Sequence, residues 1–469
     1  MTDSPDSAPA PVLHLSEEDR FEIGGENLLA DVPILSESPQ SNIANGGLEE
    51  IRIRLGTLLK TENVSFLLGA GASVACGGIT IGSLPISIEL ALHNNGVSDC
   101  EPADIQNWLS LFYAAARCVA SSDIVPTTAE DIQERHRQLA DGKEKVDHLE
   151  VNLEQILATL HRWRKALPRT AERMCISGDP RVVASAEDLV DCLTQVTRSL
   201  AQHCQLPKWG KDSGLSDYKV FVRKTLTRPL NLKRVNLFTL NYDTLIEQAT
   251  DAEGVVLLDG FVGTTRRVFR PESYERDLYF PAETTEGRVH RFDRVLHLYK
   301  LHGSISWISE QPTLDNPYGV SVKSSDLCDS DRLLIFPTPA KFTEMLGMPY
   351  AELFRRFAST VTRPQSVLFV VGYGFGDEHV NAIIRQALAV PSFTLVVIDP
   401  NPSSQFVCTL RKQKDRRVWI VQGSQLGTFE NFVRILLPDL RDEDIRKRVI
   451  DTHRALGRNT PYGDGANVD

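Results

Sequence analysis

The sequence predicts an α/β protein, with a Rossmann-like parallel sheet that helices cover on both faces and a large helical insertion. Two observations support this fold class. Short, continuously apolar runs end in turn residues or polar groups and alternate with helical patterns, which is typical of strands buried on both faces. A long middle segment carries helical patterns instead. The apolar runs read NVSFLLGAG, RVNLFTLNYD, RVLHLYKLHGS, RLLIFPTP, SVLFVVGYGFGD, FTLVVIDPNP and RRVWIVQGS.

The N-terminal part of the chain is predicted to hold a leader and the start of the main domain. Residues 1–45 are rich in Ser, Pro, Asp, Glu and Asn with little periodicity, which indicates a flexible leader. A helix follows in GLEEIRIRLGTLLK, where Ile and Leu recur on one face. We expect residues 46–99 and 229–425 to form the Rossmann-like domain together.

The segment 100–228 is predicted to be the helical insertion. IQNWLSLFYAAARCVA and VNLEQILATLHRWRKAL both carry apolar residues at helical spacing, and charged connectors such as DGKEKVDH separate the helices. The last segment, 426–469, is predicted to consist of C-terminal helices and a flexible tail. The main domain is therefore expected to be interrupted once.

Composition and charge argue against several classes of protein. The 469 residues carry a net charge of -11 and no strongly basic run, so strong direct nucleic-acid binding is not expected. The N-terminus is polar and acidic, without the apolar core of a signal peptide. The uncharged stretch 63–88 contains many Gly and Ser residues and Pro85, so we expect no membrane span. These observations predict a cytoplasmic protein.

The eight cysteines are scattered, and none forms a CxxC pair. This spacing indicates neither a zinc ribbon nor a redox motif, and no metal is expected. Scattered cysteines without a secretion signal are typical of reduced thiols.

FLLGAGASVACGG places many small residues directly after an apolar strand. Glycines there permit a tight turn and let a ligand's phosphates approach backbone N–H groups. The motif is neither a Walker A loop nor a full GxGxxG. Two interpretations stay open, a phosphate or dinucleotide site and a plain strand-to-helix turn. The candidate binding residues are Gly69, Ala70, Gly71, Ala72 and Ser73.

Two further strands end in polar side chains. Asn241 and Asp243 follow an apolar strand and precede a helix, so they are either site residues or helix caps. His302 ends a strand and is either a general base near neutral pH or a structural histidine bonded to the backbone.

The last two strands of interest end in a glycine-rich loop and in an acidic turn. Gly372, Tyr373 and Gly374 form the start of a loop that a ligand could approach closely, and Asp399 and Asn401 could bond a ribose hydroxyl. Ligands of parallel sheets bind at the carboxyl ends of the strands, so the repetition of such strand ends favours one shared site.

Taken together, four of these motifs resemble the sirtuin-like family of NAD-consuming enzymes. They are GAGAS, TLNYD, KLHGS and GYGFGD, and they occur in the family's order. The form of the last three motifs is similar to that of the bacterial sirtuin-like proteins of anti-phage defence systems. Protein deacetylases of the family carry a zinc module built from two CxxC pairs, whereas here only Cys328 lies between His302 and Gly372. The groove for an acetylated peptide is therefore in doubt.

The resemblance implies roles for individual residues. The loop 69–73 would hold the pyrophosphate of NAD, and Asn241 would orient the ribose hydroxyls or the attacking water. Asp243 would help to fix the nicotinamide carboxamide. His302 would accept a proton from a ribose hydroxyl or from water.

The activity that the resemblance implies is NAD+ hydrolysis to nicotinamide and ADP-ribose, by a regulated effector that depletes NAD in bacterial antiviral defence. NAD is then the substrate. A homo-oligomer and a partner similar to the HerA-type DNA-translocating ATPases are also implied, with docking expected on the helical insertion and the termini. The alternatives are an ADP-ribosyl transferase or deacylase of the same fold, and a sensor of NAD or ADP-ribose or a scaffold for a motor ATPase.

Overall fold

A computed structural model describes most of the chain. The described residues are 15–29, 42–80, 82–94, 102–119, 125–140, 151, 153–168, 172–176, 182–208, 210–280, 290–322, 333–335 and 348–441.

The described part contains the following strands. They are β1 (Arg20–Ile23), β2 (Glu26–Asn27), β3 (Asn63–Leu68), β4 (Met174–Cys175), β5 (Val183–Ala184), β6 (Asn236–Thr239), β7 (Val256–Leu258), β8 (Phe261–Val262), β9 (Arg267–Phe269), β10 (Val295–Lys300), β11 (Gly303–Ser309), β12 (Val320–Val322), β13 (Leu333–Ile335), β14 (Ser366–Val371), β15 (Thr394–Ile398) and β16 (Val418–Gln422).

Helices connect and cover these strands. They are α1 (Asn42–Leu59), α2 (Leu84–His93), α3 (Pro102–Arg117), α4 (Ala129–Ala140), α5 (Leu153–Ala166), α6 (Ala186–His203), α7 (Asp212–Thr225), α8 (Leu245–Ala252), α9 (Tyr350–Val361), α10 (Glu378–Leu388), α11 (Gln405–Gln413) and α12 (Phe429–Asn431), with 3₁₀ helices at Ala70–Cys76 and Pro271–Glu275 and a π-helical turn at Phe432–Leu436. No helix in the described ranges combines the length and the apolarity that crossing a membrane requires.

Within the described ranges, the main sheet has nine strands in the order β2-β1-β16-β15-β14-β3-β6-β10-β7. From β16 to β7 all neighbours are parallel, and β1 is antiparallel to β16. Helices link most of the successive parallel strands, whereas β8, β9 and the 3₁₀ helix Pro271–Glu275 lie between β7 and β10. The predicted α/β fold class is confirmed.

Side chains of the central strand β3 show why its second half, Phe66–Leu68, is continuously apolar. Phe66 and Leu68 belong to the hydrophobic core on one face of the sheet, whereas Leu67 belongs to the core on the other face. Successive side chains of a strand point to opposite faces. Because helices cover both faces, every position of β3 is buried, including the polar Asn63 and Ser65.

A second, antiparallel sheet was not predicted. It has the order β13-β11-β12-β9-β8, so the runs RVLHLYKLHGS and RLLIFPTP do not both belong to the parallel sheet. The first run divides into β10 of the main sheet and β11 of the second sheet, and β13 pairs with β11. The chain passes from the main sheet to the second sheet at Leu301 and His302. The next residue, Gly303, has a φ of +93°.

The helical block has its own core, which differs in extent from the predicted insertion. Ile88 and Leu92 of α2 pack in this core, although α2 was assigned to the main domain. Conversely, Tyr218 and Phe221 of α7 pack in the core of the main sheet, and the Phe221 ring lies 5.0 Å from that of Phe66. The pattern of α7 is amphipathic like that of the other helices, so periodicity alone could not assign it to the sheet.

The N-terminal leader is not flexible throughout its predicted extent. The strand β1 pairs with β16, and β2 pairs with β1. Phe21 is fully buried and packs edge-on against Trp419, at 5.9 Å between ring centroids. The apolar residues of this segment, Phe21, Ile23, Leu28 and Leu29, are few and lie among polar residues, so they gave little periodic signal. The predicted flexible tail falls mostly at 442–469, outside the described residues.

Candidate active site

Four sequence motifs follow four neighbouring strands of the main sheet. GAGAS follows β3, TLNYD ends β6, KLHGS ends β10 and GYGFGD follows β14. The neighbouring strands β14, β3, β6 and β10 are all parallel. All four motifs therefore lie on the side of the sheet formed by the carboxyl ends of the strands. Residues 69–73 are called the β3 loop and residues 372–377 the β14 loop below.

The β3 loop packs backbone to backbone against the β14 loop. The Gly69 N–H donates to the Val371 carbonyl at 2.9 Å, and the Gly71 N–H donates to the Gly372 carbonyl at 2.8 Å. A Cβ on Gly69 would lie 2.5 Å from the Gly372 oxygen, and one on Gly71 would lie 2.7 Å from the Gly372 Cα. The φ of Gly69 is -105°, an ordinary value. Lack of space therefore explains this glycine, whether or not a ligand binds.

Asn241 joins the end of β6 to the β3 loop. Its Nδ2 donates to the Gly69 carbonyl at 2.9 Å and to Ser73 Oγ at 3.0 Å. Its own N–H donates to Thr239 Oγ1 at 3.0 Å. The amide nitrogen is thus used inside the protein, which leaves the amide oxygen Oδ1 as the atom suited to accept a hydrogen bond from a ligand.

Asp243 lies beneath the β3 loop. Its Oδ2 accepts a hydrogen bond from Ser73 Oγ at 2.7 Å, and its Oδ1 accepts one from the Leu245 N–H at 3.2 Å, where α8 begins. Burial raises the pKa of this carboxyl, while the Lys300 ammonium and the Ser73 hydroxyl act in the opposite direction. Both carboxylate oxygens have internal partners, so the contacts observed here are structural. The predicted contact with a nicotinamide carboxamide stays a prediction.

Lys300 and Tyr218 complete the surroundings of this carboxyl. The Lys300 ammonium donates to the Asp243 backbone carbonyl and lies 2.8 Å from Glu247 Oε1. The Tyr218 hydroxyl lies 3.1 Å from Ser73 Oγ. Lys300 is 2% exposed, so its ammonium group interacts with these protein groups and not with bulk water. Sequence analysis assigned neither residue to the site, although the Lys of KLHGS stood two positions before His302.

His302 follows β10 and pairs with a residue of the β14 loop. Its Nε2 lies 3.1 Å from Asp377 Oδ2, and the two side chains are 8% and 9% exposed. The rings of Tyr242 and Phe354 flank the imidazole at 6.4 Å and 6.2 Å. Two strands separate β10 from β14, which corresponds to about 14 Å in the sheet. The β14 loop therefore reaches across the ends of β3 and β6 to meet His302.

The β14 loop is fixed at its middle and open on either side of it. Phe375 has a φ of +57°, unusual for a bulky side chain. Its ring stacks on Phe406 at 5.1 Å, and its carbonyl accepts from Asn381 Nδ2 at 2.9 Å. In contrast, a Cβ on Gly374 or Gly376 would meet no atom of the described residues within 4 Å. Packing against the described part of the chain does not require these two glycines.

Asp399 and Asn401 lie at the same edge, after β15. The Asn401 N–H donates to Asp399 Oδ1 at 2.8 Å, which closes a tight turn. Burial raises the pKa of the Asp399 carboxyl, and Asn401 is exposed. Within the described ranges, no side-chain hydrogen bond joins this turn to Asn241 or His302. The predicted contact of Asp399 and Asn401 with a ribose hydroxyl stays a prediction.

The contacts form a chain around the edge of the sheet, from the β6 end to the β3 loop, on to the β14 loop and back to the β10 end. Sequence analysis noted Asp377 only as part of the motif GYGFGD and did not pair it with His302. An acidic residue directly before an amphipathic helix predicts a helix cap, but it does not predict which side chain the second carboxylate oxygen faces. Among the described residues, no group of three or more His, Cys, Asp or Glu side chains could hold a metal ion.

A parallel sheet with polar side chains and glycine-rich loops at its carboxyl edge is typical of Rossmann-like domains that bind nucleotides. Residues 235–420 match the SIR2-like domain family, which supports the sirtuin-like resemblance of the motifs. The matched segment contains Asn241, His302 and the β14 loop, and it begins after the β3 loop.

Comparisons of whole chains give weaker likenesses. A crystal structure of a Sir2 homologue in complex with NAD superposes with a TM-score of 0.39 at 12% identity, covering 83% of this chain and 94% of that one. A mutant Sir2 homologue with 2′-O-acetyl ADP-ribose gives a TM-score of 0.37 at 12% identity, covering 83% and 96%. TM-scores below 0.5 say nothing about what this chain binds. No curated protein sequence matches the chain.

Proposed function

We propose that this protein hydrolyses NAD+ to nicotinamide and ADP-ribose. The observation that carries the proposal is the placement of Asn241 and His302 at the ends of the neighbouring parallel strands β6 and β10, with each side chain bonded to one of two glycine-rich loops. An amide oxygen and an imidazole are suited to bind ribose hydroxyls and to accept a proton. The match of residues 235–420 to the SIR2-like domain family supports NAD as the substrate.

The reaction breaks the bond between the nicotinamide nitrogen and C1 of its ribose, through an oxocarbenium-like transition state. Water adds to that carbon, its proton is released, and nicotinamide leaves with the bonding electron pair. His302 accepts the proton from water or from a ribose hydroxyl. Asn241 Oδ1 orients the hydroxyls or the water. Gly374 and Gly376, which have open space around them, let the substrate lie against the backbone of the β14 loop.

The same assay also tests the alternative activities of this fold. ADP-ribosyl transfer breaks the same bond but passes the ADP-ribose to a protein side chain, so labelled protein would appear in place of free ADP-ribose. Deacylation is disfavoured, because only Cys328 is available between His302 and Gly372 for a module that requires two CxxC pairs. A sensor or scaffold would bind NAD without releasing nicotinamide.

We further propose that the hydrolase is a regulated, cytoplasmic effector of bacterial antiviral defence that acts by NAD depletion. This step rests on the resemblance of the motifs to the anti-phage sirtuin-like proteins. A free, fully active NADase would kill its own cell, so its activity must be restrained until it is needed. Homo-oligomerisation and a HerA-like DNA-translocating ATPase are the proposed means of control.

The test is to incubate the purified protein with NAD, alone and with a candidate ATPase partner, and to quantify nicotinamide and ADP-ribose by chromatography. His302→Ala is expected to lower turnover by about 10²–10⁴-fold and to change NAD affinity little, because general base assistance acts in the transition state. Asn241→Ala is expected to abolish turnover as well.

The control is His290→Ala, which removes an exposed imidazole and should leave turnover unchanged. Because Asn241 also holds the β3 loop, its variant needs a thermal unfolding curve before its activity is interpreted. Binding of NAD with no nicotinamide release under any condition would contradict the hydrolase and favour the sensor.

A further inference from the structure

We propose that Asp377 is a positioning residue for His302, which fixes the proton of the neutral imidazole on Nε2 and leaves Nδ1 as the proton acceptor. This inference rests on the proposed hydrolase function and deepens it. It rests on the geometry of the pair, with Nε2 3.1 Å from Asp377 Oδ2 and both side chains at least nine-tenths buried.

The tautomer follows from the chemistry of the two groups. An ionised carboxylate can only accept hydrogen bonds, so the imidazole nitrogen that faces it must carry the hydrogen. In a neutral imidazole the other nitrogen then holds the lone pair. When that nitrogen takes up a proton, the nearby carboxylate stabilises the imidazolium, as a buried aspartate does for the histidine of a hydrolase triad.

Asp377 is itself held in place through its other oxygen and its backbone. Oδ1 accepts from the His379 N–H at 2.9 Å and caps α10. The Asp377 N–H donates to the Tyr373 hydroxyl at 2.9 Å. One carboxylate oxygen therefore fixes the loop to its helix, and the other is directed at His302. A freely rotating surface carboxylate would not specify a tautomer.

This division of roles makes Asp377→Asn a sharp test. Asn caps helices about as well as Asp, so the variant should keep the fold. The cap at the His379 N–H requires an oxygen, which places the Asn NH₂ group opposite His302 Nε2. An NH₂ group donates, so Nε2 must then hold the lone pair and the hydrogen must move to Nδ1. The substitution is expected to reverse the tautomer, not merely to remove a charge.

Turnover of NAD by Asp377→Asn is expected to fall by about 10²–10⁴-fold, the range for a general base held in the wrong form. NAD affinity and the unfolding midpoint should change little. Glu378→Gln is the matched control, because it neutralises the adjacent carboxylate, which is exposed and paired with Arg385. Asp377→Ser keeps a capping oxygen but is too short to reach His302, and it should lose less turnover than Asp377→Asn.

The second measurement does not depend on activity. In protein labelled with ¹⁵N-histidine, the His302 signals are identified by their loss in His302→Gln, and the nitrogen shifts report which atom carries the hydrogen. The wild type is expected to show the hydrogen on Nε2, and Asp377→Asn should show it on Nδ1.

The outcomes separate this inference from the proposed function. A wild type with the hydrogen on Nδ1, or full turnover by a folded Asp377→Asn variant, would overturn the role of Asp377. Absence of NAD cleavage by the wild type contradicts the hydrolase, and the nitrogen shifts still decide whether Asp377 sets the tautomer.

Discussion

The two glycine-rich loops of the site look alike in sequence and differ in why they contain glycine. In the β3 loop, a Cβ on Gly69 would lie 2.5 Å from a backbone oxygen of the β14 loop. In the β14 loop, a Cβ on Gly374 or Gly376 would meet no atom of the described residues within 4 Å. The first loop needs glycine to fold. The second loop also needs glycine at Gly372, which has a φ of +63° and where a Cβ would lie 2.4 Å from the Ala72 nitrogen, but Gly374 and Gly376 have no such requirement from the described residues.

This difference changes what a glycine-rich motif indicates. The sequence allowed a phosphate site and a plain tight turn for GAGAS, and the packing of the β3 loop is sufficient to account for Gly69 and Gly71. The open glycines of GYGFGD are not explained by packing, which makes the β14 loop the better candidate for close approach of a ligand. A substitution at Gly69 should therefore mainly lower the stability of the protein, whereas a substitution at Gly374 should mainly weaken ligand binding.

The largest expected effect on stability is that of Gly69→Ala. The added Cβ meets backbone atoms that no side-chain rotation can move, so the free energy of unfolding should fall by about 3 kcal/mol or more. Urea denaturation followed by circular dichroism measures this. Gly376→Ala is the matched control, with the same chemical change in open space. Equal stability of the two variants would show that the loops do not pack as described.

Ser73→Ala should have the next largest effect. The Ser73 hydroxyl donates to the buried Asp243 carboxylate and accepts from Asn241 Nδ2, so its loss leaves both with an unmet partner. We expect a destabilisation of about 1–3 kcal/mol. Turnover should also fall, because Asn241 loses one of the bonds that orient it. Tyr218→Phe removes one contact of the same hydroxyl and keeps the other two, and a loss as large as that of Ser73→Ala would contradict this account.

Gly374→Ala should change stability by less than about 0.5 kcal/mol, because the new methyl group meets no atom of the residues that the structure describes. If NAD lies against this backbone, the methyl group costs about 1–3 kcal/mol in the complex, and the Kd for NAD rises about 5–150-fold. Isothermal titration calorimetry of the His302→Ala background avoids turnover during the measurement. Unchanged affinity in both Gly374→Ala and Gly376→Ala would place the ligand elsewhere.

The same two loops show how much the sequence could predict. Parallel strands buried on both faces are visible as continuous apolar runs, and each motif is visible at its strand end. The partner of His302 was not predictable, because Asp377 is 75 positions away and the pairing depends on the β14 loop crossing the ends of two strands. The edge strand β1 was missed for a similar reason, since its pairing with β16 is made by backbone groups that any sequence supplies.

The smallest expected effect is on the chemical labelling of Cys76. This residue ends the 3₁₀ helix that begins within the β3 loop, so its labelling reports whether that loop opens. Burial raises the pKa of its thiol to about 12, so almost no thiolate exists at pH 8. Iodoacetamide should label the exposed Cys118 and Cys175 within minutes and leave Cys76 unmodified in the folded protein. Mass spectrometry of the digested protein reads this directly. In Gly69→Ala, where the two loops can no longer pack, labelling of Cys76 should become detectable before global unfolding. Equal protection of Cys76 in both proteins would mean that the β3 loop is held by the core around it and not by its contact with the β14 loop.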